Sequence, residues 1–185
     1  MEPILLQHYI EQVATLGDTA AFEKLFHHYY DRIQRFALAI TQNKELAEEA
    51  TADLFVNIWK NHRKLLEIEN FTSYLYISVK NIALRKVSQN KQHFQTLELG
   101  DLNLSGFNPT PEDVLLNKEV IKCIDQAIND LPQRCRTIYR LAKQDGLKYK
   151  EISDILNLSV KTIDAQMAIA VKRITKVLKY NFQKS

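Results

Sequence analysis

The residues from Gly146 to Arg173 have the spacing of a DNA-reading motif. Apolar side chains recur there as in two short helices that share one buried seam. The seam residues are Ile152, Leu156, Leu158, Ile163 and Met167. Ser153 is small and lies where the helices would cross, and Asn157 lies at the turn, where Asn tolerates a left-handed backbone. The pattern favours a helix-turn-helix, whose second helix enters the major groove of DNA, over a plain helical hairpin.

The second helix of this motif supplies the side chains that would face DNA. Ser159 can cap its start, because a side-chain oxygen satisfies a backbone N–H that has no partner within the helix. The residues that point away from the seam are Val160, Lys161, Asp164, Ala165 and Ala168. We therefore expect this face to enter the groove.

Charge is distributed unevenly along a chain whose net charge is only +3. Residues 131–185 carry twelve Lys and Arg against four Asp and Glu, a net of +8. Residues 1–88 have a net of −1 and residues 89–130 a net of −4. A basic C-terminal module is expected of a protein that binds phosphates, although a solvated helix face would also carry such charge.

A second candidate surface lies in the segment FTSYLYISVKNIALRKV, residues 71–87. It mixes aromatic, amide and basic side chains: Phe71, Tyr74, Tyr76, Lys80, Asn81, Arg85 and Lys86. Aromatic rings interleaved with cations suit the unstacked bases and the backbone of single-stranded nucleic acid. The alternative is that the tyrosines pack in the core while the cations are solvated.

An acidic patch opens the segment ELAEEATADLFVNIWKNH, residues 45–62. Its members are Glu45, Glu48, Glu49 and Asp53, and the apolar residues Leu54, Phe55, Ile58 and Trp59 lie beside them. Negative charge near a helix start stabilises the helix dipole, which alone would explain the patch. The apolar surface is wider than one narrow stripe, so a partner-docking surface and core packing both remain open.

The sequence lacks the residue patterns that are typical of catalytic and metal-binding sites. There is no Gly-rich phosphate loop and no Ser/His/Asp or Cys/His arrangement, and His27 and His28 are adjacent, so they diverge around a helix. Cys123 and Cys135 lack metal-ligand spacing, and we expect them to be reduced, partly buried thiols. These features predict a protein that is not an enzyme and uses no metal or cofactor. With neither a signal peptide nor a long apolar run, we expect a cytoplasmic protein without membrane insertion.

Helical periodicity dominates the chain and strand alternation is almost absent. A first helix breaks at residues 15–18, and Asp18 or Thr19 caps a second. The apolar face of this second helix is Phe22, Leu25, Phe26, Tyr29, Ile33, Phe36 and Ile40. The acidic segment and the aromatic-basic segment form the third and fourth helices, with a loop from Arg63 to about Asn70 between them.

The segment from Gln89 to Glu112 contains two of the four Gly and two of the four Pro and has little periodicity. It reads most simply as a connection between two domains. Helices resume at Asp113, and Pro132 favours the start of another. We predict an all-α protein with two small helical domains, residues 1–90 and 113–185, joined by a flexible linker at residues 91–112.

The helical segments resemble a known family. The segments AAFEKLFHHYYDRIQRFALAIT, ELAEEATADLFVNIWKN and FTSYLYISVKNIALRKV resemble region 2 of the sigma-70 family, in its extracytoplasmic-function (ECF) group. The segment LPQRCRTIYRLAKQDGLKYKEISDILNLSVKTIDAQM resembles region 4 of the same group. Two motif blocks in the family's order, covering nearly the whole chain, form a more specific signal than a helix-turn-helix alone.

The resemblance implies a protein that binds core RNA polymerase, directs it to promoter DNA and helps to melt the DNA. Region 2 would dock on polymerase through Glu49, Asp53, Phe55 and Trp59. It would bind the −10 element, including a flipped base of the non-template strand, through Arg63, Lys64, Tyr74, Lys80, Asn81 and Arg85. Region 4 would bind the −35 element through Lys148, Ser159, Val160, Lys161, Thr162, Asp164, Ala165 and Lys172. The group uses no cofactor or metal, and many members are held inactive by an anti-sigma factor.

The sequence departs from the family's pattern at several positions. Ala52 stands where Gln is frequent, Tyr74 where Trp is common, and Asp164 where a basic residue is usual. Two other interpretations are a helix-turn-helix regulator with a dimerisation or ligand-sensing domain at residues 1–88, and an interaction module without DNA contact. A dimerisation or ligand-sensing domain would not explain the cations beside tyrosines in the fourth helix. An interaction module without DNA contact would not explain the C-terminal excess of positive charge.

Overall fold

The chain forms two compact units, residues Met1–Leu102 and Asn103–Ser185, called here the N-terminal and C-terminal units. The computed structural model describes the backbone of residues 3–90 and 118–182 and the side chains of residues 4–90 and 124–177. The prediction of an all-α protein with two helical domains is confirmed. The predicted linker at 91–112 and the first residues of the helix predicted from Asp113 lie outside the described residues.

The described elements are α-helices and one 3-10 helix. In the N-terminal unit they are α1 (Pro3–Leu16), α2 (Thr19–Thr41), α3 (Lys44–Lys60), a 3-10 helix (His62–Glu67) and α4 (Phe71–Asn90). In the C-terminal unit they are α5 (Lys118–Asn129), α6 (Gln133–Lys143), α7 (Tyr149–Leu156) and α8 (Val160–Phe182). None of the helices in the described part of the chain is long and apolar enough to cross a membrane.

The core of the N-terminal unit forms where α2 packs against α3 and α4. Leu25, Tyr29, Ile33 and Phe36 of the predicted apolar face are buried, and the face's other members are half-buried. Asp18 is the cap of α2, since its Oδ1 accepts hydrogen bonds from the N–H groups of Ala20 at 2.8 Å and Ala21 at 3.1 Å. The apolar period and the cap thus act together to set where α2 begins and which face it buries.

The segment predicted as a loop after α3 contains the 3-10 helix, so the prediction is wrong for residues 63–67. The Lys64 N–H donates to the Asn61 carbonyl oxygen at 2.9 Å, the three-residue spacing of this helix type. Leu65 is buried and anchors the segment to the core. The segment also packs against α1, so its order comes from tertiary contacts and not from a periodic pattern.

In the C-terminal unit α8 packs against α5, α6 and α7. A cluster of buried side chains joins α5, α6 and α8: Ala127, Ile128, Leu131, Cys135, Ala170 and Ile174. Pro132 directly precedes α6, as expected for a residue that cannot supply a backbone N–H to a helix interior. Ala170 and Ile174 of this cluster lie in the middle of α8, and the preceding turns of α8 belong to the predicted helix-turn-helix.

Candidate nucleic-acid interface

The turn between α7 and α8 has the predicted left-handed residue. Asn157 has φ 54° and ψ 46° and ends α7. The Ser153 hydroxyl donates to the Leu158 carbonyl oxygen, and the Leu158 N–H donates to the Ser153 carbonyl oxygen at 3.1 Å. These bonds satisfy backbone groups at the end of α7 and fix the direction in which the chain enters α8.

Ser159 caps α8, as predicted. Its Oγ accepts a hydrogen bond from the Thr162 N–H at 3.0 Å, and the Ser159 and Thr162 hydroxyl oxygens lie 2.8 Å apart. One hydroxyl therefore satisfies an N–H group at the end of the helix that would meet DNA. The Ser159 side chain is consequently engaged within its own chain, which favours a capping role over direct base contact.

The seam between α7 and α8 differs in part from the prediction. Ile152, Ile163 and Met167 are buried, as expected, whereas Leu156 and Leu158 are only half-buried. Ile155 is buried instead, because it lies three residues after Ile152 on the same face of α7. The prediction chose the wrong apolar residue at the end of α7.

The outward face of α8 forms as predicted. Its exposed members are Val160, Lys161, Asp164, Ala165, Ala168 and Lys172, while Thr162 is half-buried beside the cap. Lys148 is exposed immediately before α7, and its N–H donates to Glu151 Oε2 at 2.6 Å. Ile169 and Val171 are also exposed apolar residues on α8, and sequence reasoning did not include either in the outward face. The buried residues of α8 recur at Ile163, Met167 and Ala170. Ile169 and Val171 fall outside this helical repeat, which could have predicted their exposure.

On α4, the aromatic-basic segment divides between core and surface. Phe71 and Tyr76 are buried, and Tyr76 packs edge-on against Phe36 with ring centroids 4.9 Å apart. For these two rings the core alternative is therefore correct, because they fill the space between α4 and α2. Tyr74 remains half-buried at the surface.

The polar members of α4 lie near the surface to different degrees. Asn81 and Arg85 are exposed, whereas Lys80 is half-buried. Burial lowers the pKa of the Lys80 ammonium from its usual range. Sequence reasoning missed Ile77 and Leu84, which are 39 % and 37 % exposed on either side of Asn81. Their spacing of seven residues puts both on the face that carries Asn81, which was the signal for them.

A cleft opens between the 3-10 helix and the start of α4. Its volume is about 360 Å³, and its lining residues are Ile58, Asn61, Lys64, Leu65, Glu67, Ile68 and Tyr74. The structure thus brings together two of the predicted −10 residues, Lys64 and Tyr74, which are ten residues apart in sequence. Arg63 is exposed on the 3-10 helix and does not line this cleft. The aromatic ring of Tyr74 and the apolar side chains of Ile58, Leu65 and Ile68 suit a planar heterocycle, and Lys64 and Glu67 place one charge of each sign at the cleft.

The two acidic candidates on α3 form a charge cluster with α4. The Lys86 Nζ lies 2.8 Å from Asp53 Oδ2 and 3.1 Å from Glu49 Oε2. The pKa of Lys86 is raised, chiefly by its hydrogen bond to Asp53, against the opposing effect of burial. Both carboxylates remain at the surface and could face a partner.

The apolar candidates on α3 require a correction. Phe55 is only 4 % exposed, and its ring packs against Phe26 with centroids 4.8 Å apart. It therefore belongs to the core in this structure, and the outward apolar position is Val56, which is 49 % exposed. Trp59 is half-buried, with its ring 5.1 Å from that of Phe22 and stacked 5.7 Å from His62.

These features define a class of protein. One helical unit carries a capped helix-turn-helix with an exposed recognition face, and the other carries an aromatic-lined cleft beside an acidic helix. Within the described side chains, no group of three or more His, Cys, Asp or Glu is placed to hold a metal ion. The arrangement is that of a two-domain helical protein built for binding nucleic acid and a protein partner.

Comparison with known proteins identifies the family. The family model for sigma-70 region 2 matches residues 25–93, and that for sigma-70 region 4 matches residues 121–174. Together these matches include most of α2, all of α3 and α4, and the helix-turn-helix. The chain belongs to the sigma-70 family, in its extracytoplasmic-function group, and directs transcription initiation together with RNA polymerase.

Similar proteins cover nearly the full length of the chain. It is 25 % identical over 184 residues to the ECF RNA polymerase sigma factor SigW of Bacillus subtilis, covering 95 % of this chain and 98 % of that protein. It is 24 % identical over 159 residues to the ferric citrate uptake sigma factor FecI of Escherichia coli, covering 86 % and 91 %. Its fold is similar to that of the sigma factor RpoE of Bartonella quintana, with a TM-score of 0.54 and 18 % identity over 85 % of this chain and 96 % of that one.

Proposed function

We propose that the two units divide the promoter between them. The N-terminal unit docks on core polymerase through α3 and holds the opened −10 strand along α4, while the C-terminal unit binds the −35 duplex through α8. The observation that carries this proposal is the difference between the two surfaces. One is an exposed helix face that carries a cation, and the other is a cleft of about 360 Å³ lined by an aromatic ring and a cation.

The −35 role of α8 rests on its exposed first turns. Val160, Lys161, Asp164 and Ala165 project from a helix whose start is fixed by Ser159. Lys161 supplies a cation for phosphate or a base acceptor, Val160 and Ala165 supply apolar contact for a thymine methyl group, and Asp164 accepts from a cytosine amino group. Lys148 and Lys172 would contact phosphates, and Thr162 supports the cap.

The −10 role rests on the cleft and on α4. Tyr74 offers a ring for stacking, and Lys64 offers a cation for the strand that bears the flipped base. Further along α4, Ile77 and Leu84 flank the Asn81 amide, so one face offers apolar contact for base planes and a hydrogen-bonding group for base edges. Arg63 and Arg85 would neutralise phosphates, and the partly desolvated Lys80 would lie close to the strand.

The docking role of α3 rests on its exposed charges and on Val56. Glu49 and Asp53 present negative charge one turn apart, and Val56 adds an apolar patch beside them. Trp59 extends the patch toward the 3-10 helix. Phe55 contributes indirectly by packing α3 onto α2 and so fixing the angle at which this surface is presented.

Binding, and not catalysis, is the proposed mode of action, and the cytoplasm is the proposed location, because polymerase and promoter meet there. The sigma factor RpoE of Bartonella quintana was solved with the anti-sigma factor NepR. We extend this kind of control to the present chain as a proposal: an anti-sigma factor would block α3 or the α4 surface.

The test is promoter-dependent transcription with purified components. The chain alone should synthesise no RNA, and added to core polymerase it should direct initiation at discrete start sites. A variant with Asp53→Arg and Glu49→Arg should fail to compete for core polymerase, with its helical content unchanged. Tight binding of the free chain to duplex DNA as a dimer, without any effect on core polymerase, would support a helix-turn-helix regulator instead.

A further inference from the structure

Lys86 reaches from α4 to two carboxylates on α3. The three groups are 37 and 33 residues apart in sequence, and they meet because α3 and α4 pack side by side. One ammonium bonds to one oxygen of Glu49 and to one oxygen of Asp53. The geometry is that of a cation shared between two neighbouring acids.

Lys86 lies behind the two carboxylates. Its side chain is 19 % exposed, compared with 61 % for Glu49 and 54 % for Asp53. In each carboxylate, one oxygen contacts the Lys86 ammonium. The other oxygen belongs to the same side chain, which is more than half exposed. The contact therefore leaves acceptors available to an incoming partner.

Two effects of this contact favour binding by the acidic pair. Glu49 and Asp53 are four residues apart on α3, and like charges at that spacing repel each other. The Lys86 ammonium offsets this repulsion and restricts the rotamers of both acids, so less side-chain freedom remains to be lost when a partner binds. The hydrogen bonds to Asp53 and Glu49 raise the pKa of Lys86 against the opposing effect of burial, so the contact favours the charged ammonium.

We propose that Lys86 is a positioning residue for docking: it holds Glu49 and Asp53 side by side so that their outer oxygens receive one guanidinium group of core RNA polymerase. A guanidinium donates in parallel from a planar fork, which matches two carboxylate oxygens held at one place. This role rests on the proposed docking function of α3. Because Lys86 comes from α4, it also ties the docking helix to the helix that bears Asn81.

The first experiment measures affinity for core polymerase by fluorescence anisotropy of the labelled full chain. Lys86→Met keeps the buried stem and removes the charge. It should weaken binding about three- to tenfold, in the lower part of the range of coupling between contacting groups. Lys86→Arg should restore most of the affinity. Lys24→Met removes an exposed cation from α2 and serves as the control, with little expected change. Thermal unfolding by circular dichroism shows whether each variant is folded.

The second experiment separates positioning from general support of the fold. The double variant Glu49→Gln/Asp53→Asn should bind core polymerase more weakly, and Lys86→Met should add little in that background, because Lys86 acts through the two acids. Equal loss from Lys86→Met in both backgrounds would overturn the positioning role. Unchanged or tighter binding by Lys86→Met alone would do the same while leaving α3 as the docking helix. Normal binding by the Gln/Asn variant would remove both the docking role of α3 and the role of Lys86.

Discussion

The Sγ atom of Cys135 on α6 donates a hydrogen bond to the Gln166 carbonyl oxygen on α8, 3.2 Å away. Cys135 is fully buried, where we had expected a partly buried thiol. Gln166 follows Ala165, an exposed residue of the recognition face, and precedes Met167, which is buried. The bond therefore links the packing of α6 to the position of the helix that we assign to the −35 element.

The Cys135 thiol should make the stability of the C-terminal unit depend on pH. Burial raises the pKa of Cys135 above its usual 9.0, against a smaller opposing effect of Arg173. Above that usual value the unfolded chain loses the thiol proton while the folded chain keeps it, so the free energy of unfolding should fall as pH rises. Urea unfolding between pH 8 and pH 10 should show a smaller fall for Cys135→Ala than for the unaltered chain. Identical slopes would mean that the thiol titrates alike in both states.

The left-handed backbone at Asn157 should make the turn sensitive to side-chain shape. Asn157→Val places a β-branched residue at φ 54°, which should cost about 1–2 kcal/mol of unfolding free energy. Asn157→Gly removes the steric conflict and should be close to neutral. Chemical denaturation followed by circular dichroism compares the two. Equal stabilities would show that the turn relaxes to another conformation.

Phe55 and Val56 are neighbours on α3 with opposite environments, and their substitution should separate folding from docking. Phe55→Ala should lower the free energy of unfolding by about 3–5 kcal/mol, because it leaves a cavity among the α2 aromatics. Val56→Ala should change the stability by less than about 0.5 kcal/mol, as for other surface positions.

The docking arm of this comparison uses affinity for core polymerase. Val56→Ala should weaken it by about 1 kcal/mol through lost apolar contact. We expect Val56→Ala to be folded but to bind core polymerase more weakly, and Phe55→Ala to be unstable. Full core affinity of Val56→Ala would place Val56 outside the interface.

The sequence was sufficient where the structure is set by local geometry. Asp18, Asn157 and Ser159 act within three to four residues of their own positions, so their roles follow from type and spacing. The buried face of α2 was likewise predictable, because its apolar residues keep one helical period.

Long-range packing explains what the sequence did not reveal. In α3 the apolar residues Leu54, Phe55 and Val56 are consecutive, so their order does not say which of them turns outward. The choice is made by Phe22 and Phe26 of α2, which pack around Phe55. The Lys86 contact has the same origin, since nothing near Lys86 in sequence identifies Glu49 and Asp53 as its partners. Phe55 and Lys86 both belong to the region of the candidate docking site, and the prediction was least complete there.

If α4 binds the opened −10 strand and α8 binds the −35 duplex, alanine substitutions of Asn81 and Lys161 should impair different steps of initiation. Both side chains are exposed, so alanine substitutions at these positions should leave the fold intact. Lys161→Ala removes a cation from the first turn of the recognition helix. It should weaken binding to −35 duplex DNA and lower the slope of log affinity against log salt by about 1, as for one lost phosphate contact. Lys176→Ala removes a later cation of α8 and is the matched control.

Asn81→Ala should instead act after the duplex opens. The amide can hydrogen-bond a base or the backbone of the separated strand, so its loss should reduce permanganate reactivity of thymines in the −10 region while leaving −35 duplex binding unchanged. On a pre-melted template without a −35 element, the Lys161 variant should perform like the unaltered chain and the Asn81 variant should remain defective. Holoenzyme formation is measured in parallel, because loss of core binding would lower every signal. Equal defects of the two variants on both templates would mean that opening and duplex recognition are not divided between α4 and α8.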